Sequence, residues 1–425
     1  KPSTDQAYNS MKEIQYVVPT GRFMRNIHRW AAHGMVLCVI LHMARAFYTA
    51  AYKSPRQFNW IIGIVLFVLT LMLSFTGYLL PWDQLAYWAV TIGSEIAESP
   101  RELTDALGVT PWLDIGGFQK RLLLGANHVG GEALIRFYVL HIMVLPILMC
   151  IFLAVHFWRI RKDGGLARPR SSDGLSSASS VADGIRTPEG APARTYGLMA
   201  VVPGRTPAVD RVMANTIPTW PNAVFAVGAL SMLTFAAVLC LGHCFDAPLK
   251  EHANPAVPEN PAKAPWYFLG LQELVSYSAF MGGVGIPMII VFGLMLLPYL
   301  DREREEVGVW FSGPRSLGVC LRSALLTAVA VVALLAFTIN VGWLRAWFPD
   351  IPQIAITLVN PGTVLLVIVA AWSFAVTKQM NSTRMGALAA FTCLLVAFAI
   401  LTYFAIVHRG PNWEFYWSPS DWPKH

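Results

Sequence analysis

Two pairs of histidines are the residues in this chain whose type and spacing could do chemistry. His28 and His42 lie 14 residues apart in MRNIHRWAAHGMVLCVILHMAR, and His141 and His156 lie 15 apart in RFYVLHIMVLPILMCIFLAVHFWRIRK. On an α-helix, 14 steps leave a rotation of about −40° and 15 leave about +60°, so each pair returns to nearly one face. The members of a pair are then roughly 21–22 Å apart along the axis. Two such helices side by side offer two stacked sites, each with one imidazole from either helix. That arrangement suits bis-histidine haem, and two haems so separated form an electron wire across a bilayer. A lone histidine on an apolar helix is more often a core or proton-relay group; the matched spacing on a second helix is what favours ligation.

His33 follows His28 by five residues, about 140° around the helix, and faces away from the histidine seam. His128, His243, His252, His408 and His425 have no matched partner and read as surface or proton-path groups. Arg25, Arg45 and Arg136 lie within one or two turns of the paired histidines. Arginine offers a permanently charged fork for carboxylates such as haem propionates, although basic residues also flank membrane helices in general. Gly63 and Gly77, again 14 apart, suggest close approach of a flat macrocycle to the next helix; glycine pairs also serve simple helix packing.

The elements that must position these residues are membrane helices. The chain of 425 residues is 55% hydrophobic and only 13% charged, too little charge for the surface of a soluble domain of that size. Apolar runs near 34–50, 59–80, 133–158, 222–242, 284–300, 320–339, 361–377 and 385–407 predict an all-α polytopic transmembrane bundle of about eight spans. Lys53 and Arg56, the segment opening RIRKDGGLARPR, and Lys378 and Arg384 alternate correctly if their loops all face the cytoplasmic, negative side. Loop 81–132 then faces the positive side, where its amphipathic stretches predict short surface helices. The net charge of +7 fits basic cytoplasmic loops and gives no reason to expect nucleic-acid binding. Six cysteines are scattered, with neither a C-x-x-C-H haem-attachment motif nor zinc spacing; Cys240 and Cys244 read as packing. No signal peptide is visible, and the first residue, Lys1, suggests an incomplete or processed amino terminus.

Composition divides the chain into residues 1–162, a haem-binding half; 163–217, a linker rich in Ser, Gly, Ala and Pro with little to build a core from; 218–345, a second membrane half without paired histidines; and 346–425, further spans with an aromatic tail. That tail, HRGPNWEFYWSPSDWPKH, suits interface anchoring, with partner docking as the alternative.

These features resemble the cytochrome b subunit of quinol:cytochrome c oxidoreductases, the cytochrome bc and photosynthetic cytochrome bf complexes, in a bacterial fused form. The resemblance covers about residues 5–345. It is carried by the paired histidines with LHM-x-R, by FTGYLLPWDQLAYW at 75–88, by RFYVLH and by the Pro-Trp-Tyr-Phe-Leu loop at 265–269. The 15-residue spacing of His141 and His156, and PTWPN at 218–222, resemble the photosynthetic branch. What the resemblance implies is two b-type haems, on His28/His141 near the positive side and on His42/His156 near the negative side. Arg161 joins Arg25, Arg45, Arg136, Gly63 and Gly77 as candidate cofactor-binding residues. It further implies quinol oxidation near Pro265, Trp266 and Tyr267. One electron would go to a Rieske iron–sulfur protein and a cytochrome c-type acceptor, and the other across both haems to a second quinone, with proton translocation. A homodimer in a larger complex, bound to membrane lipid in a bacterial inner (cytoplasmic) membrane, follows from the same likeness.

Three departures stand out. The family's first transmembrane helix should precede residues 1–27, so either the sequence is truncated or another chain supplies it. The family's Pro-Glu-Trp-Tyr reads Ala264-Pro265-Trp266-Tyr267 here, which makes Glu273 the candidate proton acceptor and leans toward a low-potential quinol such as menaquinol. Ala223 stands where the photosynthetic branch has an acid, leaving Arg161 and Asp163 as candidates for proton uptake. The alternative function is a dihaem quinone-linked anchor of another oxidoreductase, but such anchors lack the second membrane half and the Pro-Trp-Tyr loop. A transporter would call for internal repeats, which the two halves do not show.

Overall fold

The computed structural model describes residues 2–163, 165–167, 218–301, 303 and 307–423. Most of the predicted linker, residues 164 and 168–217, lies outside the described residues, as does His425. Among the described residues the only β pairing is two isolated bridges, Asp83 with His252 and Arg409 with Phe415.

Eight helices are long and apolar enough to cross a membrane, one for each predicted run. Such spans are helical because every backbone amide and carbonyl must find its partner inside the segment. In chain order the helices are α1 (Thr4–Tyr16), α2 (Gly21–Tyr48), α3 (Gln57–Leu79), α4 (Gln84–Glu98), α5 (Ile115–Leu124), α6 (Gly131–Lys162), α7 (Thr219–Cys244), α8 (Trp266–Val275), α9 (Met281–Leu300), α10 (Pro314–Asn340), α11 (Pro361–Met380) and α12 (Thr383–Val407). The spans are α2, α3, α6, α7, α9, α10, α11 and α12. Their alternation places α4, α5, α8 and the tail after α12 at one end of the bundle, the positive end by loop charge.

Side-chain caps set several starts. Asp83 accepts from the Ala86 amide at 2.9 Å, Asp114 from Gly117 at 2.8 Å and Asn360 from Thr363 at 3.0 Å, each satisfying one orphan amide of a first turn. Helices α11 and α12 form a tight hairpin through Asn381, whose φ of 47° is left-handed, a conformation asparagine tolerates.

In the first half α2 and α6 both pack on α3, while contact between α2 and α6 is slight. A slot therefore runs between them, with α3 as its wall. In the second half α12 is the hub, packing against α8, α10 and α11. The last two spans are thus built into that half. Helix α7 packs on α2, where Gly242 lets the Ile27 side chain and backbone come close.

Candidate functional site

The four histidines face one another across the slot. The rings of His28 and His141 are 6.2 Å apart at their centroids and 82° from parallel; those of His42 and His156 are 6.4 Å apart at 77°. A metal-bound imidazole nitrogen stands about 2 Å from the metal and about 1 Å from its ring centre, so two rings across one metal have centres roughly 6 Å apart. Both gaps match that span.

Local irregularity brings the unequal spacings into phase. Leu140–Val144 form one wide turn, closed by the Leu145 amide on the Leu140 carbonyl. Pro146, just beyond, has no amide to give the preceding turn. A wide turn absorbs one extra residue, so 15 residues on α6 rotate like 14 and both histidines meet α2.

The other atoms of the rings are also placed. His141 Nδ1 lies 3.0 Å from the Leu73 carbonyl and 3.3 Å from Thr76 Oγ1. Donating Nδ1–H to the carbonyl leaves Nε2 as the free ligand atom, the usual way a supporting group orients a metal-binding imidazole. His156 Nδ1 is buried without a hydrogen bond of normal geometry. The glycines of α3 face these two rings: a Cβ on Gly77 would stand 2.5 Å from His141 Cε1, and one on Gly63 would stand 3.8 Å from His156 Cε1. An imidazole edge is what comes close to the glycines.

The basic residues divide. Arg45 lines a small cavity with His42, His156, Gly63, Tyr52 and Arg56, within reach of an anionic group there. Arg25 is engaged elsewhere, donating to Gln15 Oε1 at 2.7 Å and the Ala247 carbonyl at 2.9 Å. Arg136 donates to the Leu122 carbonyl. Arg161 is exposed, and Asp163 pairs with Arg159 at 2.8 Å.

A second cavity, of ≈ 360 Å³, opens at the positive end between α3, α4 and α8. Phe75, Tyr78, Ile92, Pro265, Phe268 and Gln272 are among its lining residues. Trp266 and Tyr267 turn toward α2: Trp266 Nε1 donates to His33 Nδ1 at 3.1 Å, and the His33 and Tyr267 rings are 5.8 Å apart. His33 lies off the ligand seam, as expected, and instead ties the loop to the histidine helix.

Glu273 requires a correction. The sequence suggests it as the proton acceptor of the cavity, but its carboxylate points away and is fully buried. Arg409 donates Nε to Oε2 at 2.9 Å and Nη2 to Oε1 at 2.5 Å. Tyr277 Oη donates to Oε1 at 2.8 Å and Trp413 Nε1 to Oε2 at 3.0 Å. The carboxylate thus accepts four hydrogen bonds, two of them from one guanidinium, which fill its lone-pair positions and leave none directed at the cavity. Burial works against the Arg409 charge, yet the bonds to Glu273 outweigh it and hold the guanidinium above its usual pKa.

A further polar cluster at the negative end escaped sequence reasoning. Arg384 is 2% exposed, donating to Tyr52 Oη at 2.9 Å and to the Phe47 and Tyr48 carbonyls at 3.0 and 3.1 Å. Tyr52 in turn donates to Asp301, which pairs with Lys53 at 3.2 Å. In sequence, Arg384 looks like an ordinary flanking charge.

The cytochrome b (N-terminal)/b6/petB family matches residues 33–255. The chain belongs to that family. Cytochrome b6 of Heliobacterium mobile is 44% identical to this chain over 164 residues, which are 39% of this chain and 71% of that one. Cytochrome b6 of Gracilaria tenuistipitata var. liui is 43% identical over 164 residues, with the same coverage. A solved chain described as a hyperthermophilic respiratory Complex III shares the fold, with TM-score 0.58 and 22% identity, covering 96% of this chain and 85% of that one. This cytochrome b chain is therefore a multi-pass membrane protein of a haem-binding family. The slot between α2 and α6, its paired rings and the facing glycines fit a b-type haem.

Proposed function

We propose that this chain is the dihaem subunit of a quinol-oxidising, proton-translocating electron-transfer complex. The observation that carries the reading is the repeat of one ring geometry at two levels of a single slot. His28 and His141 would hold one b-type haem near the positive side, and His42 and His156 a second near the negative side. When bound, each haem supplies a one-electron carrier in a medium that otherwise blocks charge.

The chain's own contribution is placement and exclusion of water. Leu73 and Thr76 orient His141, Gly77 makes room for it, and Arg45 supplies charge beside the His42/His156 level. The apolar cavity between α3, α4 and α8 accepts a quinol ring and keeps it from bulk water, with Tyr78 and Gln272 as polar lining groups. Cavities of this size and lining are where small ligands bind. Trp266, hydrogen-bonded to His33, ties the cavity loop to the helix carrying His28 and His42.

On this reading residues 1–162 form the haem-binding half, 163–217 a linker, 218–345 the quinol-site half and 346–425 its extension. The two electrons of a quinol leave by separate routes, one to a Rieske protein and a c-type cytochrome, the other toward a second quinone near the negative end. A menaquinol-like substrate, a homodimeric complex with bound lipid and a bacterial inner membrane complete the proposal.

The test is oxidant-dependent haem reduction in the purified complex. If oxidation of a quinol must send one electron each way, adding a high-potential oxidant in the presence of quinol increases b-haem reduction. A decrease under the same conditions would place the chain among one-way dihaem anchors.

A further inference from the structure

The two sides of α8 do different work. Pro265, Phe268, Leu271, Gln272 and Val275 line the positive-end cavity, at the spacing of one helical stripe. Gly270 and Glu273 are buried, and that side packs on α12. A Cβ on Gly270 would stand 2.9 Å from Thr402 Oγ1 and 3.4 Å from the Phe398 carbonyl, so helix and hub touch with no slack.

Three polar fastenings join this cavity wall to the end of α12 and its tail. Glu273 receives the Arg409 fork and the Trp413 indole. Asn260 Nδ2 donates to Asn412 Oδ1 at 2.7 Å, and the Asn412 amide donates back to Asn260 Oδ1 at 2.6 Å. Lys263 Nζ donates to the Ile406 carbonyl at 2.9 Å, in the last turn of α12, where a cation suits the helix end. An arginine–carboxylate fork fixes angle as well as distance. A buried pair of this kind adds little stability over an apolar replacement but can hold one arrangement.

We propose that Arg409, acting through Glu273, is a positioning residue for the cavity: the tail after the last span sets where α8, and with it the Pro265–Val275 lining, stands against α3 and α4. The proposal rests on the reading of that cavity as the quinol site. It gives the C-terminal extension a part in substrate binding.

The experiment is steady-state quinol oxidation by the whole purified complex, with a short-chain menaquinol and a short-chain ubiquinol as probes. Arg409→Met raises the quinol KM by about tenfold while kcat and the haem spectrum change little, because uniform binding is what is lost. Arg409→Lys recovers part of the affinity. The double variant Arg409→Met with Glu273→Leu removes the uncompensated carboxylate, so stability returns while KM stays raised. A KM that returns with stability, or that never moves in Arg409→Met, overturns the positioning role. Should Arg409→Met fail to assemble, Asn412→Ala, in the exposed tail and outside the cavity lining, carries the test with KM raised about two- to threefold; an unchanged value overturns the proposal. A wild-type complex inert toward both quinols overturns the functional reading itself, a result distinct from normal wild-type turnover with unshifted variants.

Discussion

The rings of His28 and His141 face each other at 6.2 Å between centroids, nearly perpendicular, across a slot that α2 and α6 leave open. His42 and His156 repeat this at 6.4 Å. A centroid spacing of roughly 6 Å, which two imidazoles across one metal would have, is repeated at both levels.

The two glycines of α3 should respond differently to a methyl group. A Cβ on Gly77 falls 2.5 Å from His141 Cε1, whereas one on Gly63 falls 3.8 Å from His156 Cε1. Gly77→Ala must displace the His141 ring, at about 1–3 kcal/mol of overpacking, and should shift or remove one b-type spectral component. Gly63→Ala should keep the wild-type spectrum. Visible spectra of the two reduced complexes check this, and identical behaviour would contradict it.

Arg384 should prove to be a structural keystone of the negative end. Replacing it by Met leaves the Phe47 and Tyr48 carbonyls without their donor and removes the cation beside Tyr52 and Asp301, a loss of about 3 kcal/mol or more. Thermal unfolding of the detergent-solubilised complex should show a clearly lower midpoint for Arg384→Met. A midpoint equal to wild type would mean that water or a neighbour replaces the guanidinium.

Asp83 gives a pH dependence with a definite sign. Burial holds its carboxyl above the usual carboxylate range, although the backbone amides of Lys250 and Ala86 pull the other way. The folded chain then binds this proton more tightly than the unfolded chain. Its contribution is complete below the unfolded pKa and is lost as pH rises through the raised folded value. Asp83→Asn has no such proton, so as pH rises from the ordinary aspartate value of about 4 through the raised folded value, the wild type should lose stability relative to the variant. Unfolding midpoints across that window measure it, and parallel curves would contradict it.

The eight spans were legible because a run of apolar residues long enough to cross a bilayer has few other uses. The histidine pairs were legible because spacing on a helix survives into the structure. Helix α2 begins at Gly21, well before its apolar run near 34, since hydropathy misses a first stretch carrying Arg22, Arg25 and Asn26. The sequence distance of Glu273 from Trp266 says nothing about the face it occupies; its partner Arg409 is 136 residues away. The wide turn at Leu140–Val144 left one signal, Pro146, and a proline alone does not distinguish a kink from a wide turn.

A redox titration of the visible spectrum, on the wild-type complex and on His42→Leu and His141→Leu, tests the central claim most directly. The wild type should show two b-type components, with a different one lost in each variant. One component, or the same component lost from both variants, would contradict two stacked bis-histidine sites.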